Sequence, residues 1–222
     1  MTANTMSVER APNLYKGASA FDRYLKSFCE RYFEGVPRDA VIVGTGIGNG
    51  ELESFLLDLR FTNITGVDVD DFRHPVLKDR FHFEPCNLSF ESLPFDDESV
   101  DLITSIQVLE HLENPWNYIS ECRRVLKKGG RLLLSHPTSW DLPSRIRFLL
   151  NGDVHSFTDT NNHITFFTRA THRKLLRDFD VMETVAFQKS YPRSRVLAKL
   201  IHRLAPSNGY FCHKSLFVLS RI

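Results

Sequence analysis

The strongest constraint on this chain is one short run, Val41-Ile42-Val43-Gly44-Thr45-Gly46-Ile47-Gly48-Asn49-Gly50-Glu51. A β-branched stretch, read as a strand over Ala40 to Val43, enters a turn of alternating glycines and leaves as a helix over Glu51 to Leu59. Glycine there admits positive φ and lets a ligand approach the main chain closely. The helix start behind it presents unpaired N–H groups. A strand, a glycine turn and a helix in that order favour an α/β sheet whose open strand ends bind a ligand.

The spacing narrows the ligand. A dinucleotide fingerprint needs G-x-G-x-x-G, and the third position counted from Gly44 and Gly46 is Asn49. The phosphate loop G-x-x-x-x-G-K-[ST] fails because Glu51 follows Gly50. A second signal is Gly66-Val67-Asp68, an acid at the end of a strand read over Ile64 to Val67. In α/β folds a carboxylate at that place accepts hydrogen bonds from both ribose hydroxyls. Turn and acid together point to a nucleoside.

Further strands are read over Phe81 to Phe83, Val100 to Ile106, Arg131 to Ser135, Val181 to Phe187 and Ser215 to Ser220. Helices are read over Ser19 to Phe33, Trp116 to Leu126 (stopped by Gly129-Gly130), Thr168 to Phe179 and Val196 to Leu204. Alternation of this kind predicts an α/β, Rossmann-like doubly wound sheet of seven mainly parallel strands, with the last antiparallel. The 222 residues suit one domain over 1–222. Within it, 1–16 is expected to be a flexible N-terminus and 190–213 a C-terminal excursion. Residues 137–167, lacking clear periodicity, are expected to form a lid or substrate insertion.

Charge and cysteines set limits on partners. Lys and Arg total 28 against 27 Asp and Glu, a net charge of +1. A broad phosphate-binding face would need a basic excess, so no nucleic-acid partner is expected. Cys29, Cys86, Cys122 and Cys212 have no zinc spacing and suit a reducing, cytoplasmic setting. No apolar run is long enough to span a membrane.

At this point the chain resembles the class I S-adenosylmethionine-dependent methyltransferases, most closely the small-molecule group that includes the ubiquinone-biosynthesis type. Besides the glycine turn and Asp68, four stretches carry the resemblance. Leu93-Pro94-Phe95-Asp96-Asp97-Glu98-Ser99-Val100-Asp101 is similar to the entry to strand four. Gln107-Val108-Leu109-Glu110-His111-Leu112 is similar to a "VLEHL" segment. Residues 121–134, ECRRVLKKGGRLLL, resemble the passage into strand five, and His163-Ile164-Thr165-Phe166-Phe167-Thr168 resembles an "H-x-x-F-F-T" helix entry.

The resemblance implies S-adenosyl-L-methionine as cofactor and S-adenosyl-L-homocysteine as product. It places Gly44, Thr45, Gly46 and Gly48 under the methionine and ribose portions, and Asp68 on the ribose hydroxyls. Val69 would pack on the adenine, Asn87 and Leu88 would border it, and Ser105 to Gln107 would line the floor below the sulfur. The chain departs from the pattern twice. Ile42 stands where the family often has an acid, two residues before the first glycine. Gln107 replaces the first carboxylate of the E-x-x-E-H that binds a divalent metal in some relatives, so no metal is expected.

A hydroxyl acceptor needs a base, and histidine is the side chain best poised near neutral pH. His111 and His163 are the catalytic candidates, ahead of His136 and His155, with Asp153 and Asp159 as weaker substrate contacts. No Asn/Asp-Pro-Pro-aromatic stretch follows strand four, which favours O-methylation of a small molecule, saccharide or lipid-linked acceptor. A non-catalytic cofactor-binding partner is the alternative. Residues 193–204 and the basic-apolar stretch Leu142 to Leu150 make peripheral membrane contact a further expectation.

Overall fold

The structure, a computed structural model, describes residues 23–154, 156–189 and 212–222. It opens with α1 (Arg23–Phe33), then β1 (Ile42–Thr45), α2 (Glu51–Asp58), β2 (Ile64–Asp68) and β3 (His82–Pro85). After β4 (Val100–Ile106) come α3 (Pro115–Val125), β5 (Leu126–Pro137), α4 (Leu142–Asn151) and α5 (Arg169–Leu175), and β6 (Phe179–Lys189) and β7 (Cys212–Arg221) close it.

The seven strands form one sheet in the order β3-β2-β1-β4-β5-β7-β6. The pairs β1–β2, β1–β4, β2–β3 and β4–β5 are parallel, and β7 runs antiparallel to both β5 and β6. The expected seven-stranded, mainly parallel sheet with an antiparallel last strand is therefore what the chain adopts. The last strand lies between β5 and β6, inside the sheet.

Alternation along the strands explains the double winding. Val43, Ile103, Leu132, Leu134, Phe217 and Leu219 face one core with Tyr118, Ile119 and Cys122 of α3 and Leu175 of α5. Their neighbours Ile42, Leu102, Leu133, Leu216 and Val218 face a second core with Phe28 and Phe33 of α1 and Leu52, Phe55 and Leu56 of α2. A strand buried on both faces reads as a continuous apolar run, as β1 and β5 do.

The strand-four entry motif has a framework role. Arg124 of α3 donates to the carbonyls of Leu93 and Phe95 and pairs with Asp97 and Glu121, both at 2.7 Å. One guanidinium thus ties that loop to α3 through its fork of donors.

Three boundaries differ from expectation. α3 ends at Val125, and Gly129 (φ 72) and Gly130 lie within β5, beside a register shift between Val100 and Leu102. The helix before β6 is α5 with Thr168 as its N-cap, ending at Leu175. Residues 137–167 contain α4, capped by Asp141, whose carboxylate accepts from the Ser144 amide and hydroxyl. The helix over Val196 to Leu204, the 193–204 segment, 1–16 and His155 lie outside the described residues, as does the expected excursion over 190–213 apart from its last two residues. Among the described residues no helix is long and apolar enough to cross a membrane.

Candidate active site

From β1 the chain steps outward to β2 and β3; from β4 it steps the other way to β5. The switch point therefore falls between β1 and β4, where ligands of open α/β sheets bind beyond the carboxyl ends of the strands. Two cavities open there. One, about 410 Å³, is lined by Gly46, Gly48, Asp68, Val69, Phe72, Asn87, Leu88, Gln107, Val108 and His111 among others. The second, about 240 Å³, shares Gly46 and Gly48 with it and continues along Thr45, Glu51, Glu53, Thr104 and Ile106.

Asp68 ends β2 inside the larger cavity. Its Oδ2 accepts from the Gly48 amide at 2.9 Å and its Oδ1 from the Val69 amide at 2.8 Å. Each oxygen keeps a lone pair for a ligand hydroxyl, so the carboxylate is fixed in place and still free to accept. Gly46 and Gly48 both have positive φ. A Cβ on Gly46 would stand 2.5 Å from a Val108 methyl, whereas the space beside Gly48 is open.

Around this acid the wall is apolar. Val69 is 62% exposed and Phe72 is 55% exposed, an unusual display of apolar surface that suits a flat aromatic base. Leu88, in the loop after β3, also lines the cavity. Asn87 borders the cavity, with its side-chain oxygen accepting from the Ser89 amide and its own amide donating to Glu91. Gln107 takes left-handed backbone geometry (φ 57) and is pinned to β5: its amide donates to the Ser135 carbonyl and its Nε2 to the Ser135 hydroxyl, both at 2.8 Å. A non-glycine residue held at such a φ beside a cavity marks a place where surrounding contacts outweigh backbone preference.

One expected contact is placed differently. Gly44 lines neither cavity; it lies within β1, and the space its missing side chain leaves is filled by Glu53. Thr45 lines the smaller cavity, with its hydroxyl turned inward, 2.6 Å from the Tyr118 hydroxyl and donating to the Thr104 carbonyl.

The two candidate histidines meet. Their rings lie 4.8 Å apart, edge to face. Nδ1 of His111 is bonded to the Asn162 carbonyl at 3.1 Å and Nδ1 of His163 to the Ser156 carbonyl at 2.5 Å. A carbonyl only accepts, so each Nδ1 carries the proton of the neutral ring and each Nε2 offers a lone pair. His111 borders the Asp68 cavity; His163 reaches it through His111. Burial holds the His163 imidazole below its usual range.

Glu110 completes the group. It is buried, neither carboxylate oxygen has a hydrogen-bond partner, and burial pushes its carboxyl up to about 7. Its carbonyl accepts the amides of Ile164 and Thr165, and the Thr165 hydroxyl donates to the Leu112 carbonyl, lacing the 156–167 loop to the cavity rim. Ligand atoms of Glu110, His111 and His163 all lie within 4.8 Å of one another. The reading against a metal turned on Gln107; the fold brings in His163 as another donor that linear spacing did not pair with Glu110 and His111.

Other sequence candidates fall elsewhere. His136 is buried beside His172, and Asp153 lies near Arg147 on the surface (3.9 Å). Asp159 is exposed in the 156–167 loop. Sequence reasoning missed Glu53 and Phe72, and weighed Glu110 only as part of a metal motif broken by Gln107. For Phe72 an aromatic three residues past Val69 was the available signal; for Glu53 there was none.

The chain is similar to known methyltransferases in sequence and in fold. Residues 43–134 match the family model described as a methyltransferase domain. A Mycobacterium tuberculosis protein named "Probable S-adenosylmethionine-dependent methyltransferase" is 32% identical over 101 residues, which are 45% of this chain and 36% of that protein. A ubiquinone biosynthesis O-methyltransferase of Coxiella burnetii is 29% identical over 99 residues, 42% of each. The chain thus matches well under half the length of these relatives. In fold, a crystal structure of a SAM-dependent methyltransferase from Archaeoglobus fulgidus superposes with a TM-score of 0.62 at 17% identity, over 90% of this chain and 93% of that one.

The fold is that of the class I methyltransferases. Within that fold, residues 43–134 match a methyltransferase domain, and the Mycobacterium tuberculosis relative is named as S-adenosylmethionine-dependent, in line with the resemblance read from the sequence. The residues present fit such a ligand: Asp68 for a vicinal diol, Val69 and Phe72 for a base, and an open approach at Gly48.

Proposed function

We propose that this protein transfers a methyl group from S-adenosylmethionine to a hydroxyl of a small-molecule, saccharide or lipid-linked acceptor. The observation that carries the reading is the meeting of His111, at the rim of the cavity that holds Asp68, with His163, each bonded through Nδ1 to a backbone carbonyl.

The bound cofactor supplies an activated methyl on a positively charged sulfur. The protein's work is alignment, exclusion of water and removal of one proton. Asp68, anchored by the Gly48 and Val69 amides, fixes the nucleoside end. Nε2 of His111 would take the proton of the acceptor hydroxyl as that oxygen displaces the neutral thioether from the methyl carbon. His163, edge-on to His111 and tied to the Ser156 carbonyl, holds that ring in place. The 156–167 loop, laced to Glu110 and Leu112, covers this corner against water.

A lipid-linked acceptor gains support from α4. Ile146, Phe148, Leu149 and Leu150 are exposed there, among Arg145 and Arg147. Apolar side chains with interleaved cations suit an acceptor presented at an anionic membrane surface. The likeness in sequence to the O-methyltransferase of Coxiella burnetii supports oxygen as the target. Near-zero net charge supports the absence of a nucleic-acid partner.

The test is transfer of labelled methyl from S-adenosylmethionine to three acceptor classes: a catechol, a free saccharide and a polyprenyl-linked saccharide. Label on oxygen in one class, lost in Asp68→Ala, supports the reading. Tight binding of S-adenosylhomocysteine with transfer to none would favour a non-catalytic cofactor-binding subunit. Buried Ile42, standing where an acid is common, is the observation on that side.

A further inference from the structure

β1 ends without an acid. Ile42, two residues before the first glycine, is fully buried among Phe33, Phe55 and Leu102 and offers nothing to a charged ligand. A carboxylate reaches the same end of the strand from a different element. Glu53, in the first turn of α2, is 2% exposed and lines the smaller cavity.

Gly44 makes room for it. A Cβ on that residue would stand 2.1 Å from Glu53 Oε1, so any side chain there would displace the carboxylate. Opposite Gly44 in the parallel pairing stands Thr104 of β4, whose hydroxyl oxygen is also buried and without a hydrogen-bond partner. Glu53 Oε2 has no partner either. A buried carboxylate with an unsatisfied oxygen costs free energy unless a cation or donor meets it. The helix N-terminus offsets part of that cost and fixes the side chain near the first turn.

The cavity decides what the cation is. It joins the Asp68 cavity along Gly46 and Gly48, so a ligand seated by its ribose at Asp68 extends into it. Glu51 also lines this cavity, but the oxygens beside Gly44 are one carboxylate, of Glu53, and one hydroxyl, of Thr104, fewer than the several hard oxygen ligands a metal ion asks for. A primary ammonium, with three donors and a single charge, matches one carboxylate and one hydroxyl acceptor.

We infer that Glu53, delivered by α2 through the space left at Gly44, receives the α-ammonium of the cofactor's amino-acid arm in place of an acid on β1. Thr104 accepts a second N–H of the same group. This assignment rests on the S-adenosylmethionine reading above and adds to it the residue that recognises the far end of the ligand.

Calorimetric titration of the whole chain separates the two. Three probes are used: S-adenosylhomocysteine, its analogue with hydrogen in place of the α-amino group, and 5′-methylthioadenosine, which lacks the amino-acid arm. In the wild type, loss of the amino group weakens binding roughly tenfold to hundredfold. In Glu53→Gln, S-adenosylhomocysteine weakens by a similar factor, the desamino analogue is then no worse than it, and 5′-methylthioadenosine binds as in the wild type. Equal weakening of all three probes by Glu53→Gln, or no weakening, overturns the assignment. So does a wild type indifferent to the amino group, a result that needs no variant to fold. A wild type that binds none of the probes overturns the cofactor reading itself.

Discussion

The rings of His136, in β5, and His172, in α5, lie 4.9 Å apart, and Nε2 of each is buried without a hydrogen-bond partner. Phe167, Trp140 and Phe217 close around them. Burial pushes His136 down to about 4 and His172, with His136 beside it, down to about 3. The unfolded chain takes up these protons below 6.5 while the folded one does not. Their contribution to stability is therefore complete above 6.5 and is lost as pH falls toward 4. Glu53 and Glu110, raised from 4.5 to about 7, act in the opposite sense: their contribution is complete below 4.5 and is lost as pH rises through 7. Between 4.5 and 6.5 the four groups offset one another. Denaturant unfolding across that range should show stability rising with pH more steeply in Glu53→Gln/Glu110→Gln than in the wild type. Each uncompensated proton adds about 1.4 kcal/mol per pH unit. His172→Phe added to that pair should flatten the curve again; an unchanged slope in either variant would contradict this assignment of charges.

Asp68 joins the glycine turn to the ligand, so its replacement acts on both. Asp68→Asn keeps one acceptor oxygen but turns the other into a donor facing an amide that also donates. S-adenosylhomocysteine affinity should fall roughly a hundredfold in Asp68→Asn and further in Asp68→Ala, with thermal stability changing by only a few degrees. Calorimetry and a melting curve on the same samples check both statements.

If His111 is the base, its loss slows chemistry without loosening the cofactor. His111→Ala should lower kcat on the order of 10²–10⁴-fold while S-adenosylhomocysteine binding stays within about threefold. Transfer by the wild type should survive exhaustive chelation. Loss of activity on chelation, restored by a divalent ion, would assign Glu110, His111 and His163 to a metal instead.

Gly46 has two reasons to lack a side chain, its φ of 60 and the Val108 methyl where a Cβ would stand. Gly46→Ala should destabilise the fold by roughly 1–3 kcal/mol in denaturant unfolding. Val108→Ala in the same chain should recover the steric part only, because the left-handed backbone cost remains. Full recovery would mean that backbone geometry contributes nothing at this turn.

The half of the sheet from β1 to β5 was legible because each strand carries a continuous or alternating apolar run and each helix has a marked start. Asp68 and the glycines followed from spacing. α4 falls in a stretch without clear overall periodicity, where the basic-apolar run Leu142 to Leu150 suggests membrane contact, although Leu142, Ile146, Leu149 and Leu150 repeat at helical intervals. In the structure Leu149 and Leu150 are more than three-quarters exposed, so their periodicity records no burial in this chain. The insertion of β7 between β5 and β6 is a pairing between distant segments, which local patterning does not encode. Glu53 was illegible for a related reason: a glutamate between Leu52 and Phe55 reads as a solvated helix position, and only the missing side chain of Gly44 turns it inward.

Because β7 fills the gap between β5 and β6, the sheet cannot be completed in the order in which it is synthesised. When β5 leaves the ribosome its outer edge has no neighbour, and β6 follows with no β5 edge to join. Residues 212–221 then supply both sets of backbone partners at once. Until they arrive, the nascent chain presents the open edge of β5, whose Leu132, Leu133 and Leu134 are wholly enclosed in the finished protein.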